Sequence, residues 1–448
     1  MSTLPPEPTA RRAFLARSAL AGAAGLGLVP LTEEARAAQT WRDAAAPATS
    51  AVPPGDARIR DFRIAVPDAA LADLRRRIQS TRWPDRETVP DTSQGVPLAR
   101  LQSLCARWAG AYDWRKVERR LNALPQFVTQ IDGLDIHFIH VRSANPDALP
   151  LVITHGWPGS ILEMIETIAP LTDPAAHGGR PEDAFHVVIP SIPGYGFSAR
   201  PRELGWGPDR VARAWDVLMK RLGYTRYVSQ GGDHGSVISD ALARQKPEGL
   251  LGIHVNMPPT VPPELVKGIL AGDAPPPGLP EPERMAFETL ARFFTRNAAY
   301  GALMVTRPQT IGYGLCDSPV TLAAFMYEKI CEWTDSGGEP ERVIPRDAIL
   351  DDITLYWLTD TGASASRFYW ENNNNNFSAA AQKTAEITIP VAVTVFPGEI
   401  YRAPKTWTQR AYPTLAYFNE VDKGGHFAAW EQPALFAAEM RSAFRPLR

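Results

Sequence analysis

A chain of 448 residues with 44% apolar and 21% charged content is globular and can bury a substantial core, as one large domain with insertions or as two to three domains. A formal charge of −2 gives no basic footprint for nucleic acid. The three cysteines, Cys105, Cys316 and Cys331, lack metal-ligand spacing and read as buried thiols or one optional disulfide.

Residues 1–37 read as a twin-arginine export signal. Arg11-Arg12 precede a mild apolar run from Ser18 to Leu31, and Ala35-Arg36-Ala37 is a small-x-small cleavage site. The run is too short and too Gly-rich to span a bilayer comfortably. The expectation is therefore export of the folded protein to the periplasm, with a mature chain starting near Ala38 and no stable membrane anchor. Ala44 to Asp56 is an Ala/Pro-rich leader.

Residues 57–145 read as an appendage. Leu71, Leu74 and Ile78 fall at helical spacing in a segment closed by Trp83-Pro84, and amphipathic pieces follow at Leu98 to Ala111 and Trp114 to Leu124. Phe127 to Ile131 and Leu134 to Val141 then flank Asp132-Gly133, a strong hairpin signal. In residues 146–258 short apolar runs alternate with helical stretches: Leu149 to Thr154, Phe185 to Ile189, Tyr227 to Gln230 and Leu251 to Val255. A last such run, Ile389 to Phe396, opens residues 387–448. This rhythm predicts a mostly parallel sheet covered on both faces. Between them, residues 259–386 carry helical patterns at Glu283 to Arg296, Pro319 to Trp333 and Arg346 to Trp357, and read as a helical cap over the carboxyl ends of the strands. Asn372 to Asn376 reads as a surface loop.

Gly231-Gly232-Asp233-His234-Gly235 stands between a strand and a helix. Small residues two before and two after a polar residue at such a junction are the steric signature of a nucleophile elbow, with Asp in place of Ser. A carboxylate there can attack carbon and form an ester that water must cleave. Asp233 could equally cap the following helix, and these five residues do not separate the two. The first alternating strand runs into His155-Gly156-Trp157-Pro158-Gly159. There the backbone N–H of Trp157, with that of His234, can form an oxyanion hole. Gly424-Gly425-His426-Phe427 follows the last strand and supplies a general base, and Phe396-Pro397-Gly398-Glu399 supplies the acid that orients it. Asp422, four residues before His426, is a distant second for that acid.

These motifs, with Ile136 to His140 and Ser80 to Pro84, resemble the microsomal type of epoxide hydrolase from Ile59 to Arg448. The resemblance implies an α/β-hydrolase fold with an amino-terminal meander and a helical cap. It also implies two cap tyrosines that donate to the epoxide oxygen, matched here by Tyr300 and Tyr369. The expected partners are a small epoxide and water, with no metal or organic cofactor required, and a homo-oligomer is compatible with the chain. The family usually carries Trp after the nucleophile, where this chain has His234. The alternative is a haloalkane or haloacid dehalogenase-type hydrolase on the same residues; it needs halide donors, often an indole at that position.

Overall fold

The computed structural model describes residues 56–373 and 377–448. The twin-arginine segment and its cleavage site lie outside the described residues. Among the described residues no helix is long and apolar enough to cross a membrane.

Nine strands form one sheet: β1 (Arg60–Asp61), β2 (Gln126–Ile131), β3 (Leu134–Val141), β4 (Leu149–Thr154), β5 (Phe185–Pro190), β6 (Tyr227–Gly231), β7 (Leu250–Val255), β8 (Val391–Val395) and β9 (Leu415–Glu420). Their order is β1-β2-β3-β5-β4-β6-β7-β8-β9. The first three strands and the β3–β5 pair are antiparallel, and every pair from β5 through β4 to β9 is parallel. The predicted hairpin forms with Leu134 opposite Ile131, and Asp132 and Gly133 both take positive φ, 49° and 77°. That turn matches the right-handed twist of the flanking strands. β4, β5, β6 and β8 are almost wholly buried, as a sheet covered on both faces demands. The helices Pro208–Arg221 and His234–Gln245 pack together, as do Ile165–Thr172 and Pro433–Phe444.

The sequence leaves β4 for β5 on one side and returns to β6 on the other. This reversal opens a crevice at the carboxyl ends of β4 and β6, the place where open α/β sheets bind ligands. Helices from Pro263–Ala271 through Gly362–Asn372 fill the stretch between β7 and β8.

The amino-terminal helices Asp68–Gln79, Leu98–Ala109 and Trp114–Asn122 lean on this insertion. Arg107 grips Asp347 with two bonds of 2.9 and 2.7 Å, Tyr112 donates to Asp351 (2.7 Å), and the buried Trp108 indole donates to Thr354 (2.8 Å). Arg77 reaches Asp317.

Several boundaries differ from those expected. The first helix ends at Gln79, before Trp83-Pro84, because its buried face (Leu71, Leu74, Ile78) ends there. The second stops at Ala109, with Gly110 as its C-cap, and the third at Asn122. β8 begins at Val391 because Pro390 has no N–H for the ladder. The helix expected to reach Arg296 ends at Arg292 and continues as a π-helical turn, Phe293–Asn297. Asn372 is a buried helix residue rather than a loop residue, and Asn373 closes that helix at φ 51°.

The junction after β6 has no room for side chains. A Cβ on Gly235 would lie 2.0 Å from the Thr154 carbonyl oxygen, and one on Gly231 would lie 1.9 Å from that of Gly235. Backbone on both sides cannot yield, so Gly235→Ala is expected to destabilise by about 3 kcal/mol or more. Gly301, inside the helix Ala299–Thr306, is the contrast, since a methyl group added there would meet nothing within 4 Å. Gly301→Ala should raise stability by about 0.5–1 kcal/mol. Thermal unfolding of the two variants checks the opposite signs.

Candidate active site

Asp233 stands on the turn between β6 and the helix His234–Gln245, at φ 49° and ψ −123°. A non-glycine residue there is strained and persists only where its surroundings fix it. Although Asp233 occupies the N-cap position, its side chain makes no capping bond. Its Oδ1 instead accepts the backbone N–H of Trp157 at 2.9 Å. The side chain of Asp233 is therefore not a helix cap. Gly156 allows the approach, since a Cβ there would fall 2.4 Å from the Asp233 side chain. The N–H of His234 opens the following helix and so has no turn below it to bond.

His426 sits in the loop after β9, 6% exposed, with Nε2 3.7 Å from Asp233 Oδ2. Its Nδ1–H donates to Glu399 Oε1 at 2.6 Å, and the same oxygen accepts the N–H of Ile400 at 2.8 Å. Asp422 is exposed, so the second candidate for the acid is set aside in favour of Glu399. Burial opposes charge on His426, but the Glu399 and Asp233 carboxylates outweigh it and push the imidazole up to about 9. Asp233, Glu399 and His426, drawn from three separate loops of the chain, thus converge within one buried cluster.

Tyr300 and Tyr369 reach the same place from the insertion. Tyr300, in Ala299–Thr306, stacks on Trp157 with ring centroids 5.1 Å apart and an interplanar angle of 11°. Tyr369, in Gly362–Asn372, meets Trp157 edge-on at 5.8 Å and Tyr300 at 6.0 Å. Burial, then the Asp233 charge, holds the Tyr300 phenol well above 10; burial, then Tyr300 and Asp233, does so for Tyr369. Both are therefore neutral donors. The Tyr369 hydroxyl is buried and its polar neighbour is the Tyr300 phenol, so the two hydroxyls stand side by side.

His234 is fully buried, and neither ring nitrogen has a hydrogen-bond partner among the described residues. Its ring packs against Phe368 (4.7 Å) and Tyr369 (4.5 Å), with Nδ1 3.8 Å from Asp233 Oδ1. Burial lowers its pKa, so the wall beside Asp233 carries a neutral imidazole.

Sequence reasoning missed the residues that hold the histidine loop. The His426 N–H bonds to the Trp333 carbonyl (2.9 Å), and Asp335 accepts the N–H of Gly424 (3.0 Å). Glu431 accepts the N–H groups of Phe427 (3.1 Å) and Asp335 (2.7 Å). The spacing of Phe427 and Glu431, four apart where a helix begins, was the one local signal; nothing in the sequence marks Asp335. On the other side, Ser160 donates to Asp352 (2.6 Å) and Tyr356 to the Gly159 carbonyl (2.7 Å), fixing the loop that carries Trp157.

Known proteins share this arrangement of chain. The family described as epoxide hydrolase N terminus matches residues 59–164, and the alpha/beta hydrolase fold matches residues 150–308. A sequence of Stigmatella aurantiaca (strain DW4/3-1), named for an epoxide hydrolase, is 53% identical over 390 residues, spanning 87% of this chain and 86% of that protein. Epoxide hydrolase 1 of Sus scrofa is 35% identical over 86% of this chain and 88% of its own length. Among solved structures, juvenile hormone epoxide hydrolase of the silkworm Bombyx mori superposes with a TM-score of 0.77 at 31% identity, covering 88% of this chain and 96% of that one. The Aspergillus niger epoxide hydrolase gives 0.75 at 30%, covering 89% and 100%. With these matches along most of its length, the chain belongs to the microsomal-type epoxide hydrolases, hydrolases built on the α/β-hydrolase fold.

Proposed function

We propose that the chain opens epoxides to vicinal diols in two half-reactions through an ester of Asp233. The observation that carries this reading is the position of the Asp233 carboxylate. One oxygen rests on the Trp157 N–H, and the other faces His426, which Glu399 orients from behind. In the first half-reaction Asp233 attacks an epoxide carbon from the face opposite the ring oxygen. Tyr300 and Tyr369 donate to that oxygen as the C–O bond breaks, and one of them supplies its proton. In the second, His426 takes a proton from water as the water oxygen adds to Cγ of the ester. The N–H groups of Trp157 and His234 hold the charge on the carbonyl oxygen. The diol leaves, and the second water proton passes to the phenolate left by the first half-reaction, which restores both the phenol and the Asp233 carboxylate.

The charges support this order of events. While Asp233 is anionic, His426 is held protonated up to about pH 9 and is no base at neutral pH. Esterification removes the Asp233 charge, one of the groups that raise the imidazole, so the base becomes available once its substrate exists. Halide release on the same residues is the competing reading. The paired phenols and the imidazole in place of an indole after Asp233 favour epoxide opening. We further propose that the chain is exported through the twin-arginine pathway, on the strength of Arg11-Arg12. Replacing both arginines with lysine should then retain the precursor in the cytoplasm.

His426→Gln should still form the ester and fail to release it. Mass spectrometry after mixing with an epoxide is expected to find an adduct on the peptide containing Asp233, and normal turnover in that variant would sink the mechanism. Tyr300→Phe and Tyr369→Phe should each slow esterification, and the double change should nearly abolish it while the release step survives. Faster halide release from haloalkanes than diol formation from epoxides would reverse the choice of reaction.

A folding consequence follows from the raised imidazole. A group whose folded pKa exceeds its unfolded value near 6.5 stabilises fully below 6.5, and that stabilisation fades as pH rises through the folded pKa. The difference in unfolding free energy between the native chain and His426→Gln should therefore shrink between pH 6.5 and about 9. Chemical denaturation across that range measures it.

A further inference from the structure

One buried carboxyl beside the site has no part in the steps above. Glu163 lies on the 3-10 turn Ile161–Met164, immediately after the loop that carries Trp157, and is 6% exposed. Its place depends on Gly159: a Cβ there would fall 1.3 Å from Glu163 Oε1. With Asp233, His426, Asn256, Met164 and Phe427, Glu163 lines a cavity of about 20 Å³. A polar cavity needs roughly 10–15 Å³ and two to four polar partners to hold one water molecule. Both conditions are met here. Asn256 has its Oδ1 occupied by Gln230 (2.9 Å) and so offers its NH₂. His426 Nε2, at 3.7 Å from Asp233, is beyond a direct hydrogen bond and can accept one from water once esterification has removed the Asp233 charge.

We propose that Glu163 is a positioning residue for ester hydrolysis, holding the attacking water in this cavity between its carboxyl and His426 Nε2. The inference rests on the Asp233 ester proposed above. Burial raises Glu163 well above the ordinary carboxylate range, with His426 pulling the other way. Glu163 is thus a neutral carboxyl with both a donor and acceptors to offer. In the step itself, the water oxygen bonds to Cγ of Asp233 and one water proton moves to His426 Nε2. The ester C–O bond breaks on the carbonyl side, and the departing alkoxide takes that proton. Glu163 neither gains nor loses a proton; it fixes where the water stands.

A purely structural Glu163 would disturb both half-reactions or neither, whereas a positioning residue affects the second alone. Glu163→Leu and Glu163→Met, two apolar replacements of similar volume, should esterify at the native rate and hydrolyse the ester more slowly by on the order of a hundredfold. The ester should then accumulate in rapid-quench mass spectrometry. Glu163→Gln, neutral and still able to donate and accept, should restore hydrolysis to within about threefold of native, since a neutral amide reproduces the hydrogen bonds. The proposal is overturned if the apolar variants hydrolyse the ester at the native rate, if they slow both steps equally, or if Gln loses as much as Leu. His426→Gln run in parallel separates the failures. An adduct on Asp233 in that variant keeps the mechanism standing when Glu163 falls, and its absence removes both.

Discussion

The approach of the turn after β6 to the end of β4 is the constraint on which the site depends. The backbone of Gly235 passes so close to Thr154 that a methyl group would strike its carbonyl oxygen. Only at that separation does Asp233 Oδ1 come within 2.9 Å of the Trp157 N–H. A wider gap would lose the bond that fixes the Asp233 carboxylate. Helix packing on the sheet then has a second role beyond burial. The Trp215 indole, in Pro208–Arg221, donates to Thr154 (3.0 Å) at the end of β4, so the layer beneath the site also sets its register.

Electrostatics forms the second tier. Asp233 and Glu399 flank one imidazole, and Glu163 stands nearby among buried groups. Low dielectric makes such charges costly unless each has a counterpart. One protonated histidine between two carboxylates answers part of that cost, and neutral Glu163 avoids adding to it. Asp352, raised by burial to about 8, follows the same logic one layer further out. The resting arrangement is thus organised around a positive imidazole, and any chemistry that neutralises Asp233 changes the character of its neighbour.

How much of this was legible in the sequence depended on whether the cause was local. The elbow was readable because close packing demands glycine at Gly231 and Gly235, and the hairpin because Asp132-Gly133 suits a two-residue turn. The strands showed as apolar runs because burial on both faces leaves few polar positions. Tyr300 and Tyr369 were different. Both lie on helices surrounded by other rings, where no periodicity separates a donor from packing, and only the family resemblance singled them out. That the Asp233 side chain makes no cap bond but accepts the Trp157 N–H is a matter of long-range distance, which no local pattern contains. Asp335 and Glu431 act across 89 and 96 residues, and that kind of contact leaves no trace in spacing. Helix ends departed from expectation where the buried face, rather than proline, decided the stop.

The helical insertion is braced by two separate parts of the chain. The amino-terminal helices hold it through Arg107, Trp108 and Tyr112, while the histidine loop is sewn to it at Trp333 and Asp335. Swinging this roof away would break a buried indole bond and strip the His426 loop of its backbone supports at once. Any passage into the site that leaves these bonds intact is therefore confined to displacements smaller than a swing of the whole roof, such as the turning of single side chains.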